Sequence, residues 1–148
     1  MSSQLRLKIV TPERVVVEQA VSSVTVPTRQ GQITVLPHHI PLVSLLTPGE
    51  LSARDEKGSE MAAMAVSGGF IEVSGNTVVI LADTAERVEE IDEARAESAR
   101  ERAKQLLAEV RSRDDVAYAT LVAKMEKELA RLRVARKRKA GHLPRPEA

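Results

Sequence analysis

From Leu5 to about Asp83 the apolar residues fall on alternate positions: Leu5, Leu7 and Ile9, then Val24 and Val26, then Ile33 and Val35. A two-residue period sends alternate side chains to opposite faces, so these short, β-branched runs predict strands buried on one side. Turn-forming residues cut the runs at short intervals: Thr11-Pro12, Arg29-Gln30-Gly31, Pro37, Pro41, Thr47-Pro48-Gly49, Lys57-Gly58, Gly68-Gly69 and Gly75-Asn76. Short strands between regular turns predict an antiparallel sandwich or barrel.

The period changes after Asp83. Glycine disappears until Gly141, and Ala, Glu, Arg, Lys and Leu dominate. Ala96, Ala99, Ala103, Leu106 and Val110 recur at three- and four-residue steps, which predicts one apolar stripe on a helix from about Ile91 to Val110. A break follows at Arg111-Ser112-Arg113-Asp114, where Ser112 and Asp115 resemble a helix-starting capping pair. Tyr118, Leu121, Met125, Leu129 and Leu132 form a second stripe. The pattern predicts a mixed chain, an all-β part followed by an all-α part. Residues 1–84 form the sandwich, 85–140 a two-helix antiparallel hairpin and 141–148 a disordered tail, because Gly141 and the prolines at 144 and 146 do not continue a helix.

The hairpin is expected to dock weakly. Its first helix offers mainly alanine methyls, and each buried CH₂-sized group contributes only about 0.8 kcal/mol. A marginal, charged pair of helices suits a reversible position, since a few kcal/mol from a partner or ligand shifts its population.

Composition narrows the function classes. In 148 residues, 22 basic side chains meet 21 acidic ones, and the net charge of +1 gives no global pull toward nucleic acid or anionic lipid. Cysteine is absent, which excludes disulfides, thiolate metal sites and a cysteine nucleophile, and fits a reducing compartment. No apolar run reaches the roughly 18 residues of a membrane span, and the N-terminus lacks a signal-peptide plan, so a cytoplasmic, soluble protein is expected. Phe70 and Tyr118 are the only aromatic residues, too few for a base-stacking surface.

Five ordered motifs then carry a resemblance over nearly the whole chain. They are Gly31-Gln32-Ile33-Thr34-Val35-Leu36-Pro37-His38-His39-Ile40-Pro41-Leu42, Pro48-Gly49-Glu50-Leu51, Val66-Ser67-Gly68-Gly69-Phe70-Ile71-Glu72-Val73, Val79-Ile80-Leu81-Ala82-Asp83-Thr84-Ala85-Glu86, and Ile91-Asp92-Glu93-Ala94-Arg95-Ala96. The chain resembles the ε subunits of rotary proton-translocating ATP synthases. That resemblance implies a ten-stranded sandwich gripping the γ subunit and resting on the c-ring, with a hairpin that folds down or extends along γ toward the α and β subunits of the catalytic head, where it brakes hydrolysis. It implies a non-catalytic central-stalk subunit, peripheral on the cytoplasmic face of a bacterial plasma membrane or the equivalent side of another energy-transducing membrane, with no required cofactor.

Candidate sites follow from the same resemblance. The rotor interface is assigned to Gly31, Gln32, Pro37, His39 and Pro41. Thr34 and His38 stand where glycine is frequent, which implies an altered loop backbone, and Gln32 replaces a frequent acid. Regulatory ATP binding is assigned to Glu86, Asp92, Arg95, Arg102, Lys127 and Arg131, with Lys127 and Thr120 standing where arginines are found. Taken alone, Asp92 has an ordinary explanation at the positive end of a helix, and Arg95 as a solvated cation. The basic run Arg131, Arg133, Arg136, Lys137, Arg138 and Lys139 reads either as a solvated helix end or as an electrostatic latch to an acidic segment of the β subunit.

Other chemistry is disfavoured. His38-His39 lacks a third metal ligand at a suitable spacing. Gly68-Gly69 precedes a strand, whereas a phosphate loop follows one. No nucleophile and base can be paired, so no enzymatic activity is expected. A nucleic-acid-binding module with a basic helical tail is the competing class, and the balanced charge and missing aromatics oppose it.

Overall fold

The computed structural model describes residues 4–110 and 116–141. Ten strands come first: β1 (Leu5–Val10), β2 (Val15–Val21), β3 (Ser23–Thr28), β4 (Gly31–Val35), β5 (Leu42–Leu46), β6 (Gly49–Arg54), β7 (Glu60–Val66), β8 (Gly69–Ser74), β9 (Thr77–Ala82) and β10 (Ala85–Arg87). A 3-10 turn at Val88–Glu90 leads to α1 (Glu93–Glu109), and α2 (Val116–Gly141) follows. The capping pair expected at Ser112 and Asp115 lies outside the described residues, as do positions 142–148 of the expected tail. Gly141 itself is the last residue of α2, and the sheet's final strand occupies 85–87, just past position 84.

The strands form one folded sheet in the order β10-β7-β6-β3-β5-β8-β9-β1-β2, with β4 pairing with β3. All pairs are antiparallel except β1 with β9. The two ends of this order are bridged by side chains: Arg87 donates to the Val16 carbonyl at 3.2 Å, and Arg14 meets Glu90 at 3.5 Å.

The alternation seen along the chain is the inside of this sandwich. Leu5, Leu7, Ile9, Val24, Val26 and Val35 are fully buried, joined by Leu51, Met64, Ile71 and Ile80. β-Branched side chains favour this pleated, half-buried surface. Gly69 opens β8 because nothing larger fits: its φ is +118°, and a Cβ there would lie 2.0 Å from the Leu81 carbonyl oxygen. The glycine pair is therefore a strand-entry turn.

The helices lie outside this core. Asp92 caps α1, its carboxylate accepting the Arg95 amide at 3.0 Å. α2 packs on β6, β7 and the 3-10 turn, while α1 packs on α2. Small residues permit the close approach: Ala65 on β7, Ala96 and Ala103 on α1, and Ala130 and Ala135 on α2 are all buried. Leu132 and Val134 add the larger apolar contacts. Leu106, predicted in the α1 stripe, is 48% exposed. It sits toward the C-terminal end of α1, whereas the buried residues of α2, Glu128, Ala130, Leu132, Val134 and Ala135, lie in the second half of that helix.

Candidate functional site

One row of the sheet explains how α2 is seated. Glu50 on β6 and Glu86 on β10 both register with Ala65 on β7, so two carboxylates flank a methyl group. They are two strand spacings apart, about 9.6 Å. Arg131 and Lys137 are six residues apart on α2, an axial rise of about 9 Å. Arg131 reaches Glu86 and Lys137 reaches Glu50, the latter at 2.8 Å. The match requires α2 to cross the strands rather than follow them.

Arg131 is the most enclosed of these cations. Its Nε and Nη2 donate to the two oxygens of Glu86 at 2.6 and 2.9 Å, and Nη1 donates to the buried Glu128 at 2.6 Å. The Glu86 hydrogen bonds, seconded by Glu128, hold the guanidinium in its charged form well above its ordinary range, against the opposing effect of burial.

Four successive cations then find four separate acids. Arg136 meets Glu97 on α1 at 3.0 Å, Lys137 meets Glu50, Arg138 meets Glu89 of the 3-10 turn, and Lys139 meets Glu93 on α1 at 2.7 Å. Successive helical residues point about 100° apart. The end of α2 is thus ringed by carboxylates from the sheet, the turn and the other helix. Of the basic run, only Arg133 makes no ion pair with a described residue. Glu89 is held below its ordinary value of 4.5, chiefly by hydrogen bonding to its own main-chain amide; Arg138 and Arg87 add to this and burial opposes it.

On the flank of the hairpin lies a cleft of about 540 Å³. Arg95, Ala99 and Arg102, at helical spacing, form the α1 wall; Lys124, Lys127, Glu128 and Arg131 form the α2 wall; Thr84 and Glu86 close the floor. Five of the six residues assigned to nucleotide binding, Glu86, Arg95, Arg102, Lys127 and Arg131, come together here from three elements. Asp92 does not line the cleft, because its carboxylate caps α1. Thr120 also stands apart, exposed, with its hydroxyl donating to the Val116 carbonyl of its own helix at 2.9 Å. The lining holds five cations against two carboxylates, both bound by Arg131, and that surplus suits a polyanion.

The residues assigned to the rotor interface cluster elsewhere. Gly31 and Gln32 begin β4 and are exposed, and Pro37, His39 and Pro41 lie in the connection to β5. His38 holds the left-handed conformation a glycine would adopt, with φ +65°, and its amide donates to Asn76 Oδ1 at 2.9 Å. The backbone there keeps a glycine-like turn despite the side chain. His39 Nδ1 lies 2.7 Å from the Ile40 carbonyl. Among the described residues, no three His, Asp or Glu side chains converge on a metal-sized site.

A second surface, which no local pattern marks, lies on the sheet. Leu45 on β5, Phe70 on β8, Leu81 on β9 and Val10 on β1 register side by side, and the first three are about half exposed. Val43, 71% exposed, extends the row on β5. The available signal was apolar residues at outward positions of strands whose inward positions were already apolar.

Comparison with known proteins bears on most of the chain. Residues 4–88 match the family model of the ATP synthase delta/epsilon chain beta-sandwich domain, and residues 89–136 that of its long alpha-helix domain. The ATP synthase epsilon chain of Chloroflexus aggregans is 49% identical over 131 residues, covering 88% of this chain and 91% of that one. The ATP synthase epsilon chain of Herpetosiphon aurantiacus is 44% identical over 135 residues, covering 91% and 96%. Among solved structures, a chain of the Euglena gracilis mitochondrial ATP synthase (OSCP/F1/c-ring, rotational state 1) superposes with a TM-score of 0.74 at 25% identity, over 95% of this chain and 82% of that one.

Proposed function

The chain belongs to the ATP synthase delta/epsilon chain family, as an epsilon subunit, and on that footing we propose that it is a non-catalytic rotor part whose hairpin regulates ATP hydrolysis. The sandwich, to about position 84, attaches to the γ subunit and rests on the c-ring; the helices beyond it respond to the α and β subunits of the head. The relatives are epsilon chains by name, and the Euglena neighbour was solved together with a c-ring. No described helix is long and apolar enough to cross a membrane, and attachment is through the complex, on the cytoplasmic face of a bacterial membrane or its equivalent.

The observation that carries this reading is unequal cohesion. The sandwich closes around a contiguous apolar core, whereas the hairpin is held to it by a few alanines, Leu132, Val134 and a set of ion pairs. Exposed ion pairs contribute about 0–1 kcal/mol each, so a competing acidic segment of the β subunit can exchange with them. Arg131, Arg136, Lys137, Arg138 and Lys139 then serve two positions, docked on the chain's own acids or latched to the partner's, and Arg133, without an acid among the described residues, adds its charge to the latch.

ATP is the regulatory ligand in this reading. The cleft draws its walls from both helices and its floor from the sheet, so it exists only while the hairpin is docked. A ligand bound there stabilises the docked state by mass action. Hydrolysis by the complete complex, compared with and without residues from about Glu90 onward, tests the assignment. Increased hydrolysis on truncation supports a brake, and loss of coupling alone would assign the helices to assembly instead. Calorimetric titration of the full chain with ATP tests the ligand, and no heat at millimolar concentration would remove it.

A further inference from the structure

The cleft holds one more cation than the resemblance assigned. Arg131 is consumed by Glu86 and Glu128, which leaves Arg95, Arg102, Lys124 and Lys127 facing the cleft, none in an ion pair with a described residue. Arg102 donates its Nε only to the Ser98 carbonyl, at 3.4 Å. Lys124 precedes Lys127 by three residues and Arg131 by seven, which puts all three on one helix face. Thr120, one turn before Lys124, does not line the cleft and spends its hydroxyl on the Val116 carbonyl.

We propose that Lys124 is a phosphate-binding residue of this cleft, supplying from the next turn of α2 the cation that Thr120 does not. The assignment rests on reading the cleft as a nucleotide site, and adds to it a residue and a chemical consequence. A lysine ammonium is a compact point charge on a mobile stem, with none of the fork geometry of arginine. It recognises phosphate charge and leaves the base and ribose unread. Four unpaired cations match a metal-free triphosphate better than a diphosphate or monophosphate, and a contribution of this type is screened by salt.

The test is calorimetric titration of the full chain with ATP and, separately, with inorganic tripolyphosphate, in chelator at low salt. The variants are Lys124→Gln, Arg102→Gln and Lys104→Gln, the last removing an exposed α1 cation outside the cleft. Lys124→Gln is expected to weaken both ligands by about tenfold, and Lys104→Gln by less than twofold. If Lys124→Gln behaves like Lys104→Gln while Arg102→Gln weakens binding, the Lys124 assignment is overturned and the nucleotide cleft stands. If Lys124→Gln weakens ATP but not tripolyphosphate, Lys124 reads the nucleoside and the proposal is wrong. Absence of binding by the unaltered chain would overturn both readings together.

Discussion

Arg131 on α2 grips both carboxylate oxygens of Glu86 on β10, at 2.6 and 2.9 Å, across 45 residues of chain. This bidentate pair joins the sheet to the helices where both are partly shielded, with side-chain exposures of 14% and 26%. It also forms one end of the cleft, so the same contact closes the fold and shapes the candidate ligand site.

Replacing Arg131 by alanine leaves Glu86 and the buried Glu128 without a counter-charge. Breaking a buried pair costs about 3–5 kcal/mol, and partial exposure reduces this here to about 1–3 kcal/mol. Native-state hydrogen exchange should show α2 amides losing protection by tenfold or more while β1, β8 and β9 keep theirs. A uniform loss across the chain would mean that the pair stabilises the whole fold and does not serve as a docking contact.

Neutralising the acids that the sheet and the 3-10 turn offer to α2, with Glu50 and Glu89 both changed to glutamine, weakens only the docked hairpin, by about 1 kcal/mol in all. The basic run remains available to an acidic partner, so hydrolysis by the assembled enzyme should fall. Neutralising Arg136 to Lys139 instead removes the latch itself, and hydrolysis should rise, most visibly at low salt. The same direction of change in both variants would contradict exchange between two acidic sites.

Acid should loosen the contact between Glu89 and Arg138. The folded pKa of Glu89 is depressed, so its contribution is fully present above the unfolded value near 4.5 and is lost as pH falls through the lower folded value. Carboxyl NMR titration should show a midpoint below 4.5 that moves upward in Arg138→Gln. A midpoint unmoved by that change would leave the main-chain amide and Arg87 as the causes.

Two turns predict opposite responses to glycine. Gly69→Ala drives a Cβ into the Leu81 carbonyl and should destabilise the sandwich by about 3 kcal/mol or more in denaturant titration. His38→Gly relieves a left-handed residue that costs about 1–2 kcal/mol and returns part of the gain as chain entropy, for a net stabilisation of about 0.5 kcal/mol.

The apolar row on β5, β8 and β9 should be a γ contact. Phe70→Asp or Leu81→Asp changes exposed side chains and should leave the melting temperature within a few degrees, yet abolish co-purification with γ. Retained co-purification would direct attention back to the loop around Pro37 and His39.

Much of this was legible along the chain. Alternation at Leu5, Leu7 and Ile9 or Val24 and Val26 determines which strand faces are buried, because a two-residue period leaves no other solution. The change of period after Asp83 determines the switch to helices, and the motif order determines the family. The outward row of Leu45, Phe70 and Leu81 was harder to see, because register between distant strands, absent from any local pattern, makes those residues neighbours. Asp92 carried both readings in the sequence, and the structure adds the hydrogen bond from the Arg95 amide that makes it the cap of α1. Sequence alone therefore determined the elements, their buried faces and the pool of charged candidates. Only the tertiary structure decided which acid each cation meets, that α2 crosses the strands between Glu86 and Glu50, and that Lys124 joins the cleft while Thr120 does not. Pairing between charges from separate elements depends on where whole helices come to rest, and that is set by packing over distances that no sequence period records.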